Sequence, residues 1–328
     1  MPESNPGIDQ RPLYGAIDLG GTKVRALIAD LDGRDYGYEL RASDTERGLE
    51  SVLGTMADAL AAASAQAGVA VSELRGVGIA SPGAIDVASG IVAGAPQLPG
   101  WRDVPLVQLM SERLGVPATL ENDASAAALG EHRFGAGKGT RHMLYFTVST
   151  GIGGGIIIDG RLYTGVSGAA GELGHMIIDI NSAATCSWCE RGCLESLASG
   201  TAIARRGEAL VAAGQAPALA RLREAEGDVT SEMMSRAGDE ACRKVFREAG
   251  RYMGIGLANY VNIFNPEAIV LGGGVSRSRP EFIDAAREKM HTHAIRALAK
   301  DVRLELAVLG ERSGLMGMIA RMAEATGA

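Results

Sequence analysis

Apolar residues along the chain alternate between short runs typical of strands and longer stretches with helical spacing. Runs over 14–19 and 24–29 flank a glycine turn, and this arrangement predicts a β-hairpin. Residues 50–68 are rich in alanine with apolar helical spacing and predict a helix, and residues 74–79 predict the strand after it. A helix followed by a strand and a turn is typical of α/β proteins, so we predict that class.

A similar order of elements returns later in the chain. Apolar strands over 143–148 and 155–158 surround the sequence STGIGGG, and Asp159-Gly160 predicts a second hairpin turn. The similarity to the first hairpin indicates two related halves, each opening with a strand, a glycine turn and a strand. Residues 201–264 are predicted to be mostly helical, and a helix over 314–325 is expected to pack on the first half.

Length and composition narrow the class of protein. With 328 residues the chain exceeds one typical core, which favours about two domains. The net charge of -7 and the lack of a basic block argue against nucleic acid as a partner. No apolar run has the length of a membrane span, and residues 1–12 predict a loose polar leader rather than a secretory signal. We therefore expect a cytoplasmic protein that binds no membrane.

Residue types that bind metals cluster in the middle of the chain. One histidine and three cysteines match the ligand count of a tetrahedral zinc site. They are His175, Cys186, Cys189 and Cys193. The close spacing of the cysteines favours metal over disulfides. The site is either a structural clip or, because Glu172 and Glu195 flank it, a clip that also holds acceptors for a polyhydroxyl ligand.

Three glycine-rich turns each follow a predicted strand: DLGGTK at 18–23, STGIGGG at 149–155 and LGGGVS at 271–276. Backbone N–H groups reach a phosphate where no Cβ intrudes, so three such turns in one chain indicate a nucleotide. A single turn of this kind is more often only a tight turn. The candidate nucleotide-binding residues are Gly20, Gly21, Thr22, Lys23, Thr150, Gly151, Gly153, Gly273 and Gly274. Asp18 is the candidate Mg²⁺ ligand, or else a turn-capping aspartate.

A polar pair stands where a predicted strand over 118–120 passes into a predicted helix over 123–134. Asp123 is the candidate general base for a substrate hydroxyl, and Asn122 can donate to and accept from other hydroxyls. The alternative is that this pair only caps the helix. Residues Ser81, Pro82 and Gly83 form a turn that either lines a sugar site or has no such role.

In their order along the chain, the motifs DLGGTK, GIASPG, ENDASAAALGE, STGIGGG, GELGH, CLE and LGGGVS resemble those of the ROK family of sugar kinases. The cysteine spacing departs from the usual C-x-C-G-x-x-G-C pattern, with Glu190 where a glycine is usual, but keeps a CxxC pair suited to zinc. The resemblance implies the actin/hexokinase-type ATPase fold, with ATP and sugar in a cleft between two α/β lobes. The expected lobes are 1–118 with 312–328, and 119–311 with the zinc motif.

The resemblance also implies roles for residues. Asp123 takes the proton from the sugar hydroxyl that attacks the γ-phosphate of ATP, with Mg²⁺ and Zn²⁺ as further cofactors. The remaining hydroxyls are expected to bind Asn122, Glu172, His175 and Glu195. The expected acceptor is glucose at O6, and fructose, N-acetylmannosamine and N-acetylglucosamine are the alternatives. A homodimer or homotetramer is expected.

Two other classes of protein share parts of this pattern. Sugar-responsive ROK regulators carry a DNA-binding module ahead of the ATPase-like body, and we expect none here, because about a dozen residues precede the first strand. Actin-like or chaperone-like ATPases share the glycine turns but have no need of the histidine and cysteine cluster.

Overall fold

The computed structural model describes residues 11–186, 188–189 and 191–327. Most of the predicted leader and Glu190 of the cysteine motif lie outside the described residues. The described strands are Tyr14–Leu19 (β1), Lys23–Ala29 (β2), Asp35–Ala42 (β3), Val77–Ser81 (β4), Ala84–Asp86 (β5), Ile91–Gly94 (β6), Arg102–Val104 (β7), Ala118–Asn122 (β8), Met143–Val148 (β9), Ile152–Ile158 (β10), Arg161–Leu162 (β11), Ala268–Gly272 (β12) and Arg303–Leu306 (β13). The described helices are Leu49–Ala67 (α1), Leu106–Leu114 (α2), Asp123–Phe134 (α3), Leu194–Ala198 (α4), Gly200–Ala212 (α5), Pro217–Glu226 (α6), Ser231–Ala237 (α7), Glu240–Phe264 (α8), Gly274–Ser278 (α9), Pro280–His293 (α10), Arg296–Ala299 (α11) and Ser313–Thr326 (α12).

The chain divides into two compact units. Unit 1 is formed by Met1–Gly135, Thr164–Ala170 and Glu311–Ala328, and unit 2 by Ala136–Tyr163 and Gly171–Gly310. The boundary thus follows residue 135, whereas the sequence analysis put it after residue 118. The reason is that β8 pairs with β4 and α3 packs on α12, which keeps both elements in unit 1.

Unit 1 is built on a mixed sheet with the strand order β3-β2-β1-β4-β8. β1 and β2 form the predicted antiparallel hairpin, and β4 and β8 extend the sheet in parallel. A small antiparallel sheet of β5, β6 and β7 lies in the same unit. Helix α1 buries a row that includes Val52, Met56 and Leu60 within the apolar core of unit 1. Burial of such side chains is the main favourable contribution to folding.

Unit 2 repeats this topology. Its sheet has the order β11-β10-β9-β12-β13, with an antiparallel β9-β10-β11 meander and parallel β9-β12-β13 pairing. The prediction of two related halves is therefore confirmed. Each half is an α/β unit of the kind found in the actin/hexokinase-like ATPase fold, which is the predicted fold class. Among the described residues, no helix combines the length and apolar character needed to cross a bilayer.

The C-terminal helix α12 packs in unit 1, as predicted, and it approaches α3 through glycines. A Cβ built on Gly317 would lie 1.7 Å from the carbonyl oxygen of Ala126, and one built on Gly130 would lie 2.0 Å from that of Ser313. Both distances are far below van der Waals contact, so the two helix backbones touch where no side chain fits. The approach fixes α3, and with it the start of that helix, against the terminal helix.

This contact predicts opposite effects for two glycines of α12. Gly317→Ala should destabilise the protein by about 1–3 kcal/mol, because the added methyl group forces the helices apart. Gly314→Ala is the control, since the nearest atom to its added Cβ, the carbonyl oxygen of Asp123, is 4.0 Å away. Replacing this glycine should raise stability by up to about 1 kcal/mol through helix propensity. Urea denaturation measures both changes, and a Gly317→Ala protein as stable as the wild type would contradict the packing argument.

Candidate functional site

The first glycine turn forms at the end of β1. The amide of Gly20 donates to the carbonyl oxygen of Lys23 at 2.8 Å, which closes the turn between β1 and β2. Gly21 lies against Gln97, since a Cβ built there would be 3.0 Å from the Gln97 carbonyl oxygen. Thr22 and Lys23 are exposed. The predicted nucleotide-binding residues of unit 1 therefore lie together at one hairpin turn, with Thr22 and Lys23 accessible to a ligand.

Asp18 stands directly across the hairpin from Arg25. Their carboxylate and guanidinium lie 3.3 Å apart, and a second nitrogen of Arg25 lies 3.3 Å from Glu311. Burial raises the pKa of Asp18, and the charge and hydrogen bond of Arg25 oppose that rise. Mg²⁺ takes one or two carboxylates together with phosphate oxygens, so Asp18 beside the turn fits such a role. The sequence analysis missed Arg25, although its position opposite Asp18 follows from the length of the turn.

The junction between β8 and α3 places two polar side chains at the start of a helix. The side-chain oxygen of Asn122 accepts hydrogen bonds from the amides of Ala124 at 3.0 Å and Ser125 at 3.2 Å. Asn122 is therefore the N-cap of α3, as the sequence allowed. Asp123 is the first residue of the helix, and its side chain is exposed. A carboxylate at this position is stabilised by the helix dipole.

The parallel pairing of β1, β4 and β8 brings the candidate groups of unit 1 to one sheet edge. Asp18 pairs in register with Ala80, and Ser81 with Asn122. Ser81 is buried and its hydroxyl donates to the carbonyl oxygen of Pro82 at 3.2 Å. Gly83 has a φ of 92°, and a Cβ there would meet the Gly94 carbonyl oxygen at 2.4 Å. The carboxyl ends of parallel strands are the usual place for ligands in open α/β sheets.

Unit 2 brings its two glycine turns together in the same way. β9 and β12 are parallel neighbours, and a Cβ built on Gly273 would lie 2.3 Å from the carbonyl oxygen of Val148. Thr150 and Gly151 lie in the turn after β9, which the amide of Ser149 closes on the carbonyl oxygen of Gly151 at 2.9 Å. Gly274 is exposed at the start of α9. Gly273 therefore lies against the end of β9, next to the turn at 149–151.

Gly153 differs from its prediction as a loop residue. β10 begins at Ile152, and Gly153 is paired in register with Thr147 of β9. Its backbone is therefore part of the sheet ladder, and the turn is limited to residues 149–151. Strand pairing with β9 overrides the low strand propensity of three successive glycines.

Residues at the start of α5 form hydrogen bonds to the turn after β9. The amide of Gly200 donates to the carbonyl oxygen of Ser149 at 2.7 Å, and the Thr201 hydroxyl donates to that of Thr150 at 2.9 Å. A Cβ built on Gly200 would lie 2.6 Å from the Ser149 oxygen. These contacts orient the turn, and the sequence analysis missed them. Gly200, the glycine after Ser199, was the one feature of the sequence that could have indicated this close backbone contact.

The predicted metal ligands come together in unit 2. The ligand atoms of His175, Cys186, Cys189 and Cys193 all lie within 4.8 Å of one another. Sulfurs around a tetrahedral zinc ion stand about 3.8 Å apart, so the cluster has the right size. Backbone amides of Trp188 and Cys189 donate to the Cys186 sulfur at 3.4 and 3.1 Å. Such donors stabilise thiolates and support metal ligands.

Burial raises the pKa of the Cys189 thiol to about 12, and its neighbours Cys186 and Cys193 add to the rise. Zn²⁺ prefers sulfur ligands and displaces the protons of thiols when it binds. The donor set therefore fits zinc. Cys242 is different: it is buried alone in α8, and burial raises its pKa to about 11.

The two ring nitrogens of His175 face different partners. Nδ1 lies 3.4 Å from the Cys189 sulfur and 3.6 Å from that of Cys186. Nε2 lies 3.6 Å from the carboxylate of Glu172, whose side chain is 68% exposed. The two nitrogens of an imidazole are chemically distinct, and metal on one leaves the other as a donor. The ring therefore connects the cluster of thiols to an accessible carboxylate.

The short helix α4 connects the metal cluster to the glycine turn. Cys193 is its N-cap, with its sulfur 3.4 Å from the amide of Ser196. Glu195, in the first turn, accepts a hydrogen bond from the amide of Ile152 at 2.8 Å. The same carboxylate abuts Gly151, where a Cβ would lie 2.5 Å from the Glu195 oxygen. Glu195 thus links the region of the metal cluster to the turn after β9.

Each unit therefore assembles its own share of the predicted site residues. Unit 1 holds Asp18, the turn 20–23, Ser81–Gly83, Asn122 and Asp123. Unit 2 holds the metal cluster, Glu172, Glu195 and the turns at 150–151 and 273–274. That Asp123 shares a substrate with Glu172 and His175 stays a prediction.

Comparison with known proteins finds extensive similarity to one family. The sequence profile of the ROK family matches residues 14–325. A glucokinase of Halalkalibacterium halodurans is 33% identical over 307 residues, which are 93% of this chain and 93% of the relative. A xylose repressor of Caldicellulosiruptor bescii is 32% identical over 306 residues, which are 93% of this chain and 76% of the repressor.

A solved structure shows the same similarity in three dimensions. The crystal structure of a ROK family glucokinase from Streptomyces griseus, in complex with glucose and AMPPNP, is 33% identical in sequence. The match has a TM-score of 0.80 and covers 94% of this chain and 98% of that one.

The metal cluster predicts a specific dependence on Cys189. Wild-type protein purified under reducing conditions should carry about one zinc per chain, and Cys189→Ala should lose it, because one of four ligands is removed. The same variant should unfold at a lower temperature, since bound metal contributes to folding energy. Cys242→Ala is the matched control and should keep its zinc. Elemental analysis checks this, and a wild type without zinc would refute the assignment.

Proposed function

Because this chain belongs to the ROK family, we propose that it is an ATP-dependent sugar kinase that phosphorylates glucose at O6. The observation that carries the proposal lies in unit 1. Asp18 and the turn 20–23 lie at the carboxyl end of β1, and the exposed carboxylate of Asp123 follows the carboxyl end of β8, which is parallel to β1 in the same sheet with β4 between them. A base, a magnesium ligand and a phosphate-binding turn are the parts that phosphoryl transfer requires.

In the proposed reaction Asp123 accepts the proton of the glucose O6 hydroxyl as that oxygen attacks the γ-phosphorus of ATP. The bond between the γ-phosphorus and the bridging oxygen of ADP breaks, and ADP leaves. Asp123 suits this role because its side chain is exposed at the start of a helix, where one of its oxygens accepts a hydrogen bond from the amide of Ala124 at 2.8 Å and Asn122 accepts from the amides of Ala124 and Ser125. Bound Mg²⁺ supplies charge stabilisation for the phosphates when ATP is present.

The proposed contacts to the sugar use acceptors and donors with fixed orientations. Asn122 contributes its side-chain amide, and Glu172, His175 and Glu195 bind the other hydroxyls. Support for His175 comes from its Nε2, which faces away from the thiols that Nδ1 contacts. Ser81, Pro82 and Gly83 line the sugar site from unit 1 in this proposal. The metal in the cluster is proposed to be zinc.

The proposed nucleotide contacts use backbone amides of the glycine turns. In unit 1 these are residues 20–23, with Asp18 toward Mg²⁺. In unit 2 they are Thr150, Gly151, Gly273 and Gly274, supported by the close approach of the two turns. Gly153 lies in β10, which begins directly after this turn, and in this proposal it supports the turn through strand pairing and does not itself contact a phosphate.

Glucose is the proposed acceptor because the relative from H. halodurans and the S. griseus structure are both glucokinases, and the latter contains glucose. Selection among hexoses depends on a few buried donors and acceptors. Fructose and the N-acetylated hexosamines are therefore the alternatives to be tested alongside it.

A second candidate function is that of a sugar-responsive regulator without kinase activity. The similarity to a xylose repressor over 93% of this chain favours it. A regulator needs the sugar site but not the base. Turnover therefore distinguishes the two functions.

The role of Asp123 predicts a selective loss of turnover. Asp123→Asn should lower kcat by about 10²- to 10⁴-fold, because the amide accepts no proton, while glucose and ATP still bind. Asp58→Asn, an exposed aspartate on α1, is the matched control and should leave kcat unchanged. Coupled assays of ADP release measure kcat, and calorimetry measures glucose binding. Turnover near the wild-type level in Asp123→Asn would remove this residue as the base.

Acceptor choice is tested with a panel of sugars. ADP release by the wild-type protein should depend on added sugar and should have its highest kcat/KM with glucose. Fructose, N-acetylmannosamine, N-acetylglucosamine and xylose complete the panel. Sugar binding without ADP release for every member would favour the regulator, whereas ADP release that ignores sugar would indicate an ATPase of another class.

A further inference from the structure

Glu121 is a buried carboxylate immediately before the Asn122–Asp123 junction, with a relative exposure of 0%. It lies in β8, an edge strand whose sheet neighbour among the described residues is β4. Buried carboxylates destabilise a fold unless they are hydrogen-bonded and charge-matched. A buried carboxylate next to the proposed base is therefore expected to have a specific role.

The two oxygens of Glu121 have different surroundings. Oε1 accepts a hydrogen bond from the backbone amide of Asn122 at 3.0 Å. Oε2 lies 3.7 Å from Nε of Arg321 on helix α12, and within the part of the chain that the structure describes it has no hydrogen-bond partner. Burial raises the pKa of Glu121, while the Asn122 amide and the Arg321 charge act in the opposite direction. The carboxylate is thus held between a backbone amide and one guanidinium.

The amide that Glu121 binds belongs to the residue that caps α3. Asn122 uses its side-chain oxygen to accept from the amides of Ala124 and Ser125. Its own backbone amide is fixed by Glu121, so consecutive hydrogen bonds determine the path of the chain from strand to helix. Asp123 leaves this junction as the first helical residue. A change in the backbone conformation at Asn122 would therefore move the Asp123 carboxylate relative to β8.

We propose that Glu121, charge-matched by Arg321 of the C-terminal helix, is a positioning residue that fixes the Asn122–Asp123 junction for phosphoryl transfer. The proposal rests on the proposed kinase function. Glu121 acts through the hydrogen bond to the Asn122 amide and does not contact substrate. Substitution of Glu121 should therefore lower kcat, because the alignment of the base with the substrate hydroxyl matters most in the transition state.

Arg321 has a second carboxylate neighbour that serves as a control. Glu324 lies 3.5 Å from a terminal nitrogen of Arg321, and its side chain is 54% exposed. An exposed ion pair of this kind contributes little. Glu121 and Glu324 therefore share one arginine but differ in burial and in contact with the junction.

The first experiment compares Glu121→Ala, Glu121→Gln and Glu324→Gln for kcat and for the KM of sugar and ATP. Glu121→Ala should lose about 10- to 100-fold in kcat with little change in the KM for ATP, because the Asn122 amide loses its acceptor. Glu121→Gln should restore kcat, since its side-chain oxygen still accepts from that amide. Glu324→Gln should behave as the wild type. Wild-type kcat in Glu121→Ala, equal losses in Glu121→Ala and Glu121→Gln, or an equal loss in Glu324→Gln would overturn the proposal.

A second pair of variants covers the case in which Glu121→Ala does not fold. Arg321→Met leaves the buried carboxylate without its counter-charge and should lower kcat. Adding Glu121→Gln to that variant should restore kcat, because a neutral amide needs no counter-charge. A double variant no better than Arg321→Met would overturn the proposal.

Amide exchange separates failure of this proposal from failure of the kinase function. A wild type without sugar-dependent ADP release would remove the proposed function, and the Asn122 amide then becomes the readout. Its hydrogen exchange should be slow in the wild type and in Glu121→Gln and faster in Glu121→Ala. Equal exchange in all three proteins would overturn the hydrogen bond on which the positioning role depends.

Discussion

Parallel strand pairing is the constraint on which the candidate site depends. In each unit a central strand has one antiparallel and one parallel neighbour, so the carboxyl ends of the parallel strands meet at one edge. Hydrogen bonding fixes the register, and the register decides which loop residues become neighbours. Asp18 and Asn122 come from distant parts of the sequence, yet β4 stands between their strands and places them at the same edge. The chemistry of the site is thus a consequence of sheet topology.

Much of the fold and part of the site are predictable from local sequence. The hairpin of β1 and β2, the alanine-rich helix α1 and the cap of α3 by Asn122 follow from apolar spacing, turn residues and capping preferences. The clustering of the four candidate metal ligands is predictable because histidine and cysteine residues at this spacing have few other reasons to lie together. These features depend on contacts between residues that are close in sequence or on distinctive chemistry.

The remainder depends on contacts that local patterns do not encode. Gly153 lies in a strand because its partner Thr147 supplies the ladder, and no propensity of glycine indicates that. Residues 119–135 join unit 1 because the helix that covers them comes from the C-terminus. The ion pair between Glu121 and Arg321 joins residues that are far apart in the sequence. Contacts of this kind cannot be predicted from local sequence patterns, because the residues that form them are far apart in the sequence.

The stretch from Cys193 to Gly200 sets the distance between the cluster of candidate metal ligands and the glycine turn after β9. At one end the sulfur of Cys193 belongs to the cluster of candidate metal ligands, and at the other end the amide of Gly200 donates to the carbonyl oxygen of Ser149. Helix α4 covers residues 194–198 of this stretch with a fixed rise per residue, and the extended Ser199 joins it to α5. The side chains of α4 other than that of Glu195 are buried, so a residue inserted or deleted within α4 would rotate the residues after it by about 100° and break the connection between the two ends.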